Sequence, residues 1–251
     1  MEILRTFGRP RAGMRWRSPT SVELPLCTTN DGPMTRKSLA WVSVLCAAVL
    51  TMFAVPQWGI ATDSSSPVAH LRIDRLGERF AFTPGTDLFV VTRDVTRLSP
   101  LGFALLGIVG IVWSMRRRRW DLAAVGAIAL PLTVPLVALV LKPLVGRTSY
   151  GNFMYPSGHS SGAAASAMYL LVVIQQLASK KTFRRSMLAL ACFPVGEAFA
   201  LIVLRSHFFT DTIGGIATGI GWIALTSALA MRVGPTTAPA RPAADAPAAP
   251  R

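Results

Sequence analysis

Acidic side chains are scarce in this chain: 12 of its 251 residues are Asp or Glu, and charged residues of both signs make up 15%. A soluble domain carries about 25% charged residues, so an ordinary soluble protein is excluded. Cysteine is scarce as well. The chain has three cysteines, an odd number, and their spacing is not that of metal ligands: Cys27, Cys46 and Cys192. The sequence therefore predicts neither a disulfide framework nor a metal site at these residues.

Apolar residues are abundant instead, at 51% of the chain. A membrane-spanning helix needs about 20 mostly apolar residues. The sequence therefore predicts an all-α, polytopic membrane helix bundle with about six transmembrane helices. The predicted spans, of which the second is short, are Ser38–Ala61, Pro100–Met115, Asp121–Leu141, Ser161–Ala178, Met187–Leu204 and Thr212–Met231.

The net charge of +14 would ordinarily indicate nucleic-acid binding, but its distribution indicates a membrane topology. Of the 26 Lys and Arg, 18 lie in segments that alternate along the chain with segments holding the other eight. Under the positive-inside rule the first group is cytoplasmic and the second faces outward. We therefore expect a multi-pass protein of the cell membrane with both termini inside and no nucleic-acid partner.

Three regions are predicted along the chain. Residues 1–37 should be disordered, although Met34–Lys37 before an apolar run is also typical of a translation start or a signal peptide. Residues 38–232 form the membrane domain. Its outer loop, 62–98, has the pattern of an amphipathic surface helix, and we expect His70 in this loop to be solvated. The last part of the loop is predicted to be either a short interfacial helix or an extension of the second span. Residues 233–251 form a disordered Pro- and Ala-rich tail.

Two of the three histidines lie in polar segments between long apolar runs. His159 belongs to the stretch Tyr-Pro-Ser-Gly-His-Ser at 155–160, and His207 lies four residues before Asp211. Lys142 precedes both segments, and the predicted topology puts all of them on the outer face. Histidines at membrane-interface positions, with lysine, arginine and a carboxylate close by, favour a phosphate-handling site.

These segments resemble the type 2 phosphatidic acid phosphatase (lipid phosphate phosphatase) family, which shares its fold with vanadium haloperoxidases. The family signature is a lysine followed seven residues later by Arg-Pro, then Pro-Ser-Gly-His, then Ser-Arg, five residues, and a histidine with an aspartate four residues on. Lys142, 156–159 and His207 with Asp211 match it. The resemblance covers roughly residues 85–230.

The catalytic roles follow from this resemblance. On chemical grounds alone His159 is a candidate nucleophile, since a neutral imidazole can attack phosphorus. The resemblance implies instead that His207 attacks, oriented by Asp211, and that His159 is the general acid. The spacing agrees, because a carboxylate one helical turn away can hold one ring nitrogen and leave the other free.

Three further residues are candidates for binding phosphate. Ser157 and Gly158 begin a predicted helix, and the N-terminus of a helix favours an anion, although a plain serine cap is the alternative interpretation. Lys142 would either donate charged hydrogen bonds to phosphate or extend its amine to the membrane interface.

Two arginines of the family signature are missing, since their positions fall at Ser149 and Leu201. Arg147 lies two residues before Ser149, and in an extended segment both side chains point the same way. Arg205 lies four residues after Leu201, so both would share one face of a helix. We expect both arginines to bind phosphate in place of the missing ones. The alternative makes them interface anchors of a weakened site.

Two other patterns concern the bundle. Glu197, in the middle of the fifth span, would support the site from below or hydrogen-bond to a neighbouring helix. Gly215 and Gly219 have the spacing of small residues that allow close helix approach, and we expect them to pack inside the bundle.

The sequence thus predicts an integral membrane phosphatase that hydrolyses a lipid or polyprenyl phosphate through a phosphohistidine. Its outward-facing site would need no metal or other cofactor. Phosphatidate, phosphatidylglycerol phosphate and polyprenyl diphosphate all fit this prediction, which specifies no oligomeric state. The alternatives are a non-catalytic membrane protein that binds lipid phosphates and a vanadate-dependent, haloperoxidase-like enzyme.

Overall fold

The computed structural model describes residues 34–59, 61–62, 73–74, 79–149 and 151–233. Most of the two segments predicted to be disordered, most of the predicted amphipathic loop helix, and His70 lie outside these ranges.

Six helices in the described ranges are long and apolar enough to cross a membrane, which confirms the predicted all-α, multi-pass architecture. The helices are α1 Arg36–Ala54, α2 Asp87–Arg116, α3 Trp120–Pro135 with its π-helical continuation Leu136–Leu141 and α4 Lys142–Val145, α5 Gly158–Leu177, α6 Lys180–Val203 and α7 Phe209–Val233. Because α3, the π-helical segment and α4 are continuous, they count as one span, Trp120–Val145.

The bounds of three helices differ clearly from the prediction, and the fifth span begins at Lys180 rather than at Met187. The second is a 30-residue helix rather than a short one, and the predicted start, Pro100, lies inside it. Thr86 caps this helix by accepting a hydrogen bond from the Phe89 N–H at 3.3 Å, so the segment from Asp87 extends the span. The first helix ends earlier than predicted, because the chain enters a 3₁₀ turn containing Pro56 and then reaches Gly59 at φ 68°.

Helix α5 lies at the centre of the bundle and contacts α2, α3, α6 and α7. Small residues allow this: a Cβ atom added at Gly215 would collide with the Ser157 carbonyl oxygen, and one at Gly219 with that of Ser161. The predicted internal packing of the glycine pair is therefore confirmed, since α7 meets the backbone of α5.

A small sheet, absent from the prediction, follows α4. Strands β1 Ala61–Thr62, β2 Thr148–Ser149 and β3 Asn152–Phe153 lie in that order, with β1 and β2 parallel and β2 and β3 antiparallel. Gly146, at φ 69°, ends α4 in the left-handed conformation and turns the chain into β2. The sheet thereby fixes the short segment between Lys142 and the beginning of α5.

Candidate active site

The Pro-Ser-Gly-His segment forms the N-terminus of α5. Ser157 is the N-cap, fully buried, and its Oγ accepts a hydrogen bond from the Ser160 N–H at 3.4 Å. Its carbonyl oxygen accepts from the Ser161 N–H at 3.1 Å and from the Ser161 hydroxyl at 2.7 Å. The first N–H groups of the helix, those of Gly158 and His159, have no acceptor within the helix and point outward from its N-terminus.

Tyr155 anchors this segment to α1. Its side chain is fully buried, and its hydroxyl donates to the Leu50 carbonyl oxygen at 2.8 Å. Burial, reinforced by the charge of Asp211, raises the pKa of the Tyr155 phenol, so the hydroxyl keeps its proton and remains a donor.

The His-x-x-x-Asp segment forms the N-terminus of α7. His207 precedes the helix, and Asp211, its third residue, folds its carboxylate back to accept the Phe208 N–H at 3.0 Å. The same oxygen, Oδ2, lies 3.5 Å from Nδ1 of His207. This is an ion-pair distance, longer than a good hydrogen bond. The two side chains predicted to pair are therefore adjacent, through the capping turn rather than along a helical face, although Nδ1 of His207 makes no hydrogen bond with the described residues.

The remaining histidine and lysine lie at the same end of the bundle. His159 is exposed, and it is close enough to His207 and Lys142 for both side chains to act on it electrostatically. The Lys142 Nζ donates to the Phe153 carbonyl oxygen at 2.9 Å, which points the amine back over the small sheet. The structure thus brings His207, Asp211, His159 and Lys142 together.

Arg147 lies beneath this cluster and is fully buried. Its Nη1 donates to Asp211 Oδ1 at 2.8 Å, to the Thr210 hydroxyl at 3.0 Å and to Gln57. Its Nη2 donates to Asp74 Oδ2 at 3.2 Å. Two carboxylates therefore hold the guanidinium at the base of the site.

Comparison with known proteins assigns the fold. The family model of the PAP2 superfamily matches residues 135–234, a range that includes every motif residue above. Residues 135–234 are a PAP2 superfamily domain. No curated protein matches the chain.

One solved structure shares the fold. The crystal structure of a transmembrane PAP2-type phosphatidylglycerolphosphate phosphatase from Bacillus subtilis is 19% identical, with a TM-score of 0.59. The match covers 77% of this chain and 98% of that one. It confirms the predicted membrane PAP2 fold.

The two displaced arginines of this PAP2 domain have different surroundings. Arg147 and Ser149 are both buried and flank a partly exposed Thr148, as expected of an extended segment. The inference that placed Arg205 on one helical face with Leu201 is wrong, because α6 ends at Val203 and Arg205 adopts φ 54°. Phosphate binding by either arginine stays a prediction.

Arg205 is exposed to solvent, whereas Arg147 is buried. Arg205 is exposed in the turn between α6 and α7, and its side chain has no hydrogen bond or ion pair within the ranges described above. Its guanidinium can therefore reach a ligand without giving up a partner among the described residues, whereas the guanidinium of Arg147 would have to give up a buried carboxylate.

Sequence reasoning missed Asp74 and Gln57, two buried partners of Arg147. Asp74 lies between two arginines in the segment that joins α1 to α2, where it has the appearance of a solvated residue, and Gln57 ends the first apolar run. Only the pairing of segments distant in sequence reveals either contact.

Glu197 takes the helix-packing role that was one of its two predicted alternatives. Its Oε1 accepts a hydrogen bond from the Ser99 hydroxyl of α2 at 3.0 Å. The pair lines a cleft of about 470 Å³ between α2 and α6. Within the described part of the chain, no three His, Cys, Asp or Glu side chains are grouped so that they could hold a metal ion.

Proposed function

We propose that this protein is an integral membrane phosphatase that hydrolyses the phosphate of a lipid or polyprenyl phosphate through a phosphohistidine on His207. The observation that carries the proposal is the placement of Asp211 Oδ2, 3.5 Å from Nδ1 of His207, beside the N-terminus of α5. A carboxylate on Nδ1 leaves Nε2 as the nucleophilic nitrogen, and the helix terminus provides N–H donors for the transferred group.

The reaction has two steps. Nε2 of His207 attacks phosphorus, and the bond between phosphorus and the lipid oxygen breaks as His159 gives that oxygen a proton. Water then attacks the phosphohistidine, His159 takes up its proton, and inorganic phosphate leaves with His207 restored. The net reaction consumes one water molecule and needs no redox partner.

Charge on the transferred group would be stabilised by several donors. These are the amine of Lys142, the N–H groups of Gly158 and His159, the hydroxyl of Ser157 and the guanidinium of Arg205. Lys142 can turn from the Phe153 carbonyl because its side chain is only half buried. Arg205 is exposed and can turn toward the site. Arg147 was predicted to belong to this group, but its contacts with two carboxylates favour another role, developed below.

The lipid class follows from where the site lies. Its residues occupy the ends of membrane-spanning helices, at the apolar–polar boundary where an anchored headgroup would be. The PAP2-type neighbour from Bacillus subtilis is a phosphatidylglycerolphosphate phosphatase, which supports a substrate of this class. We further propose that the site faces the extracytoplasmic side of the cell membrane, because the Lys- and Arg-rich segments alternate along the chain with the segments that carry the site.

Purified protein in detergent, given phosphatidate, phosphatidylglycerol phosphate and a polyprenyl diphosphate in parallel, tests this function. We expect release of inorganic phosphate from at least one of them, unchanged by EDTA. Binding without release would favour the non-catalytic alternative. Bromide oxidation by peroxide that depends on added vanadate, without phosphatase activity, would favour the haloperoxidase-like alternative.

A further inference from the structure

Asp74 is a buried carboxylate that has no part in the two steps of the proposed reaction. It lies in the segment that joins α1 to α2, with only 1% of its surface exposed. Its Oδ1 accepts the Thr210 N–H at 2.9 Å, and its Oδ2 accepts the Thr210 hydroxyl at 3.1 Å and the Arg147 Nη2 at 3.2 Å. These three contacts join it to α7 and to Arg147.

Arg147 carries this connection to the proposed nucleophile. Its Nη1 binds Oδ1 of Asp211, while Oδ2 of the same carboxylate takes the Phe208 N–H and approaches His207. The guanidinium also lies over the Phe208 ring, 4.5 Å from its centroid. The two oxygens of Asp211 thus have different partners: Arg147 donates to Oδ1, while Oδ2 accepts the Phe208 N–H and lies 3.5 Å from Nδ1 of His207.

We propose that Asp74 is a positioning residue, acting through Arg147 to hold Asp211 in the orientation that directs Oδ2 at His207. The proposal rests on the proposed phosphohistidine reaction and assigns Arg147 to the support of Asp211 rather than to phosphate. Without Asp74, one end of the guanidinium would lose its charged partner. Arg147 would then hold Oδ1 of Asp211 less firmly, and the orientation of that carboxylate would depend mainly on the Phe208 N–H.

The charges of the group support the same assignment. Two buried carboxylates surround one buried guanidinium, so within this group of three the carboxylates outnumber the guanidinium by one. When Nε2 bonds to phosphorus, the imidazole ring becomes positively charged. A preorganised negative charge nearby stabilises that state more than the neutral starting state, which is the condition for accelerating the step. Asp74 supplies this excess.

Asp74→Asn is the main test, because asparagine has the same shape and keeps an oxygen for the Thr210 N–H. We expect kcat to fall about tenfold or more, as for other residues that orient a catalytic ligand. KM for the lipid phosphate and the inhibition constant of inorganic phosphate should stay within about twofold. Asp87→Asn removes an exposed carboxylate at the start of α2 and is the matched control, expected to retain wild-type kcat.

Arg147→Lys separates positioning from phosphate binding. If Arg147 supports Asp211, this variant also lowers kcat and leaves the inhibition constant of phosphate unchanged. The double variant Asp74→Asn/Arg147→Lys should then resemble Arg147→Lys alone, since Asp74 acts through the arginine. A rise in the inhibition constant with unchanged kcat, or a double variant with fully additive losses, would overturn the proposal.

A readout that does not need turnover keeps this inference separate from the proposed function. Diethyl pyrocarbonate modifies accessible imidazoles, and mass spectrometry follows His207 and His159 separately in one sample. Asp74→Asn should change the rate at His207 severalfold and leave His159 within about twofold of wild type. Asp74→Glu keeps the charge and replaces Asp74→Asn as the test variant if asparagine prevents folding. Its kcat and its rate of modification at His207 should lie between those of wild type and Arg147→Lys.

The two possible failures are then distinguishable. A wild-type protein that releases no phosphate refutes the proposed function, while the modification rates still decide whether Asp74 positions His207. Equal rates at His207 in wild type, Asp74→Asn and Arg147→Lys would overturn the positioning role whatever the activity.

Discussion

The main-chain N–H of Ser157 donates to the main-chain carbonyl oxygen of Asp211 at 2.9 Å. This bond joins the two motif segments directly, so the N-termini of α5 and α7 form one unit. Gly215, which allows α7 to meet the Ser157 carbonyl oxygen, strengthens the same junction. The proposed nucleophile and the proposed phosphate-binding helix end are therefore fixed relative to each other by backbone contacts, without depending on long side chains.

His159→Ala should lower activity in a way that depends on the leaving group. A lipid alkoxide needs a proton as it departs, so loss of the general acid should cost about 10²- to 10⁴-fold. p-Nitrophenyl phosphate releases a weakly basic phenolate and should lose much less. Comparison of kcat/KM for the two substrates checks this. Equal losses for both would indicate that His159 does not protonate the leaving group.

Arg205→Ala should reduce turnover strongly, while Arg205→Lys should rescue poorly, because an ammonium cannot grip two phosphoryl oxygens in a planar fork. Both variants need comparison at equal membrane expression. An interface anchor would tolerate lysine, so wild-type activity in Arg205→Lys would contradict phosphate binding.

Leu201→Arg should not restore the Arg205→Ala variant. The position is buried in α6, with 3% of the surface exposed, while Arg205 lies beyond the helix end. The helical-face argument alone would favour recovery, so activity of the double variant decides between the two geometries.

Gly219→Ala should destabilise the bundle. Its added methyl group would meet the backbone of α5, which cannot move aside as a flexible side chain could, so a loss of roughly 1–3 kcal/mol is expected. Gly196→Ala, in α6 with nothing within 4 Å of the added Cβ, is the control. Thermal unfolding in detergent should show a lower midpoint for Gly219→Ala only.

Cysteine labelling tests the proposed topology. In a background whose three native cysteines are replaced by serine, an impermeant maleimide added to intact cells should label Asn152→Cys but not Thr182→Cys. Both positions are exposed, one in β3 beside the site and the other in the first turn of α6. Labelling of the second position in sealed cells would place the site on the opposite side.

The sequence predicted the six spans because continuous apolar runs in lipid permit little else. The predicted second span is shorter than α2 because it begins at Pro100, although a proline inside a membrane helix is tolerated. Asp211 beside His207 was predictable from local spacing. The contacts of Arg147 with Asp74 and Gln57 were not, because each joins segments that only the folded bundle brings together.

The phosphohistidine itself is the most direct measurement of the central claim. Wild-type protein mixed with a ³²P-labelled lipid phosphate, quenched within milliseconds and kept alkaline, should carry acid-labile label that maps to His207. His207→Ala should carry no label and should lose several orders of magnitude in activity, as expected of a covalent nucleophile. Label on His159, or full activity in His207→Ala, would contradict the account.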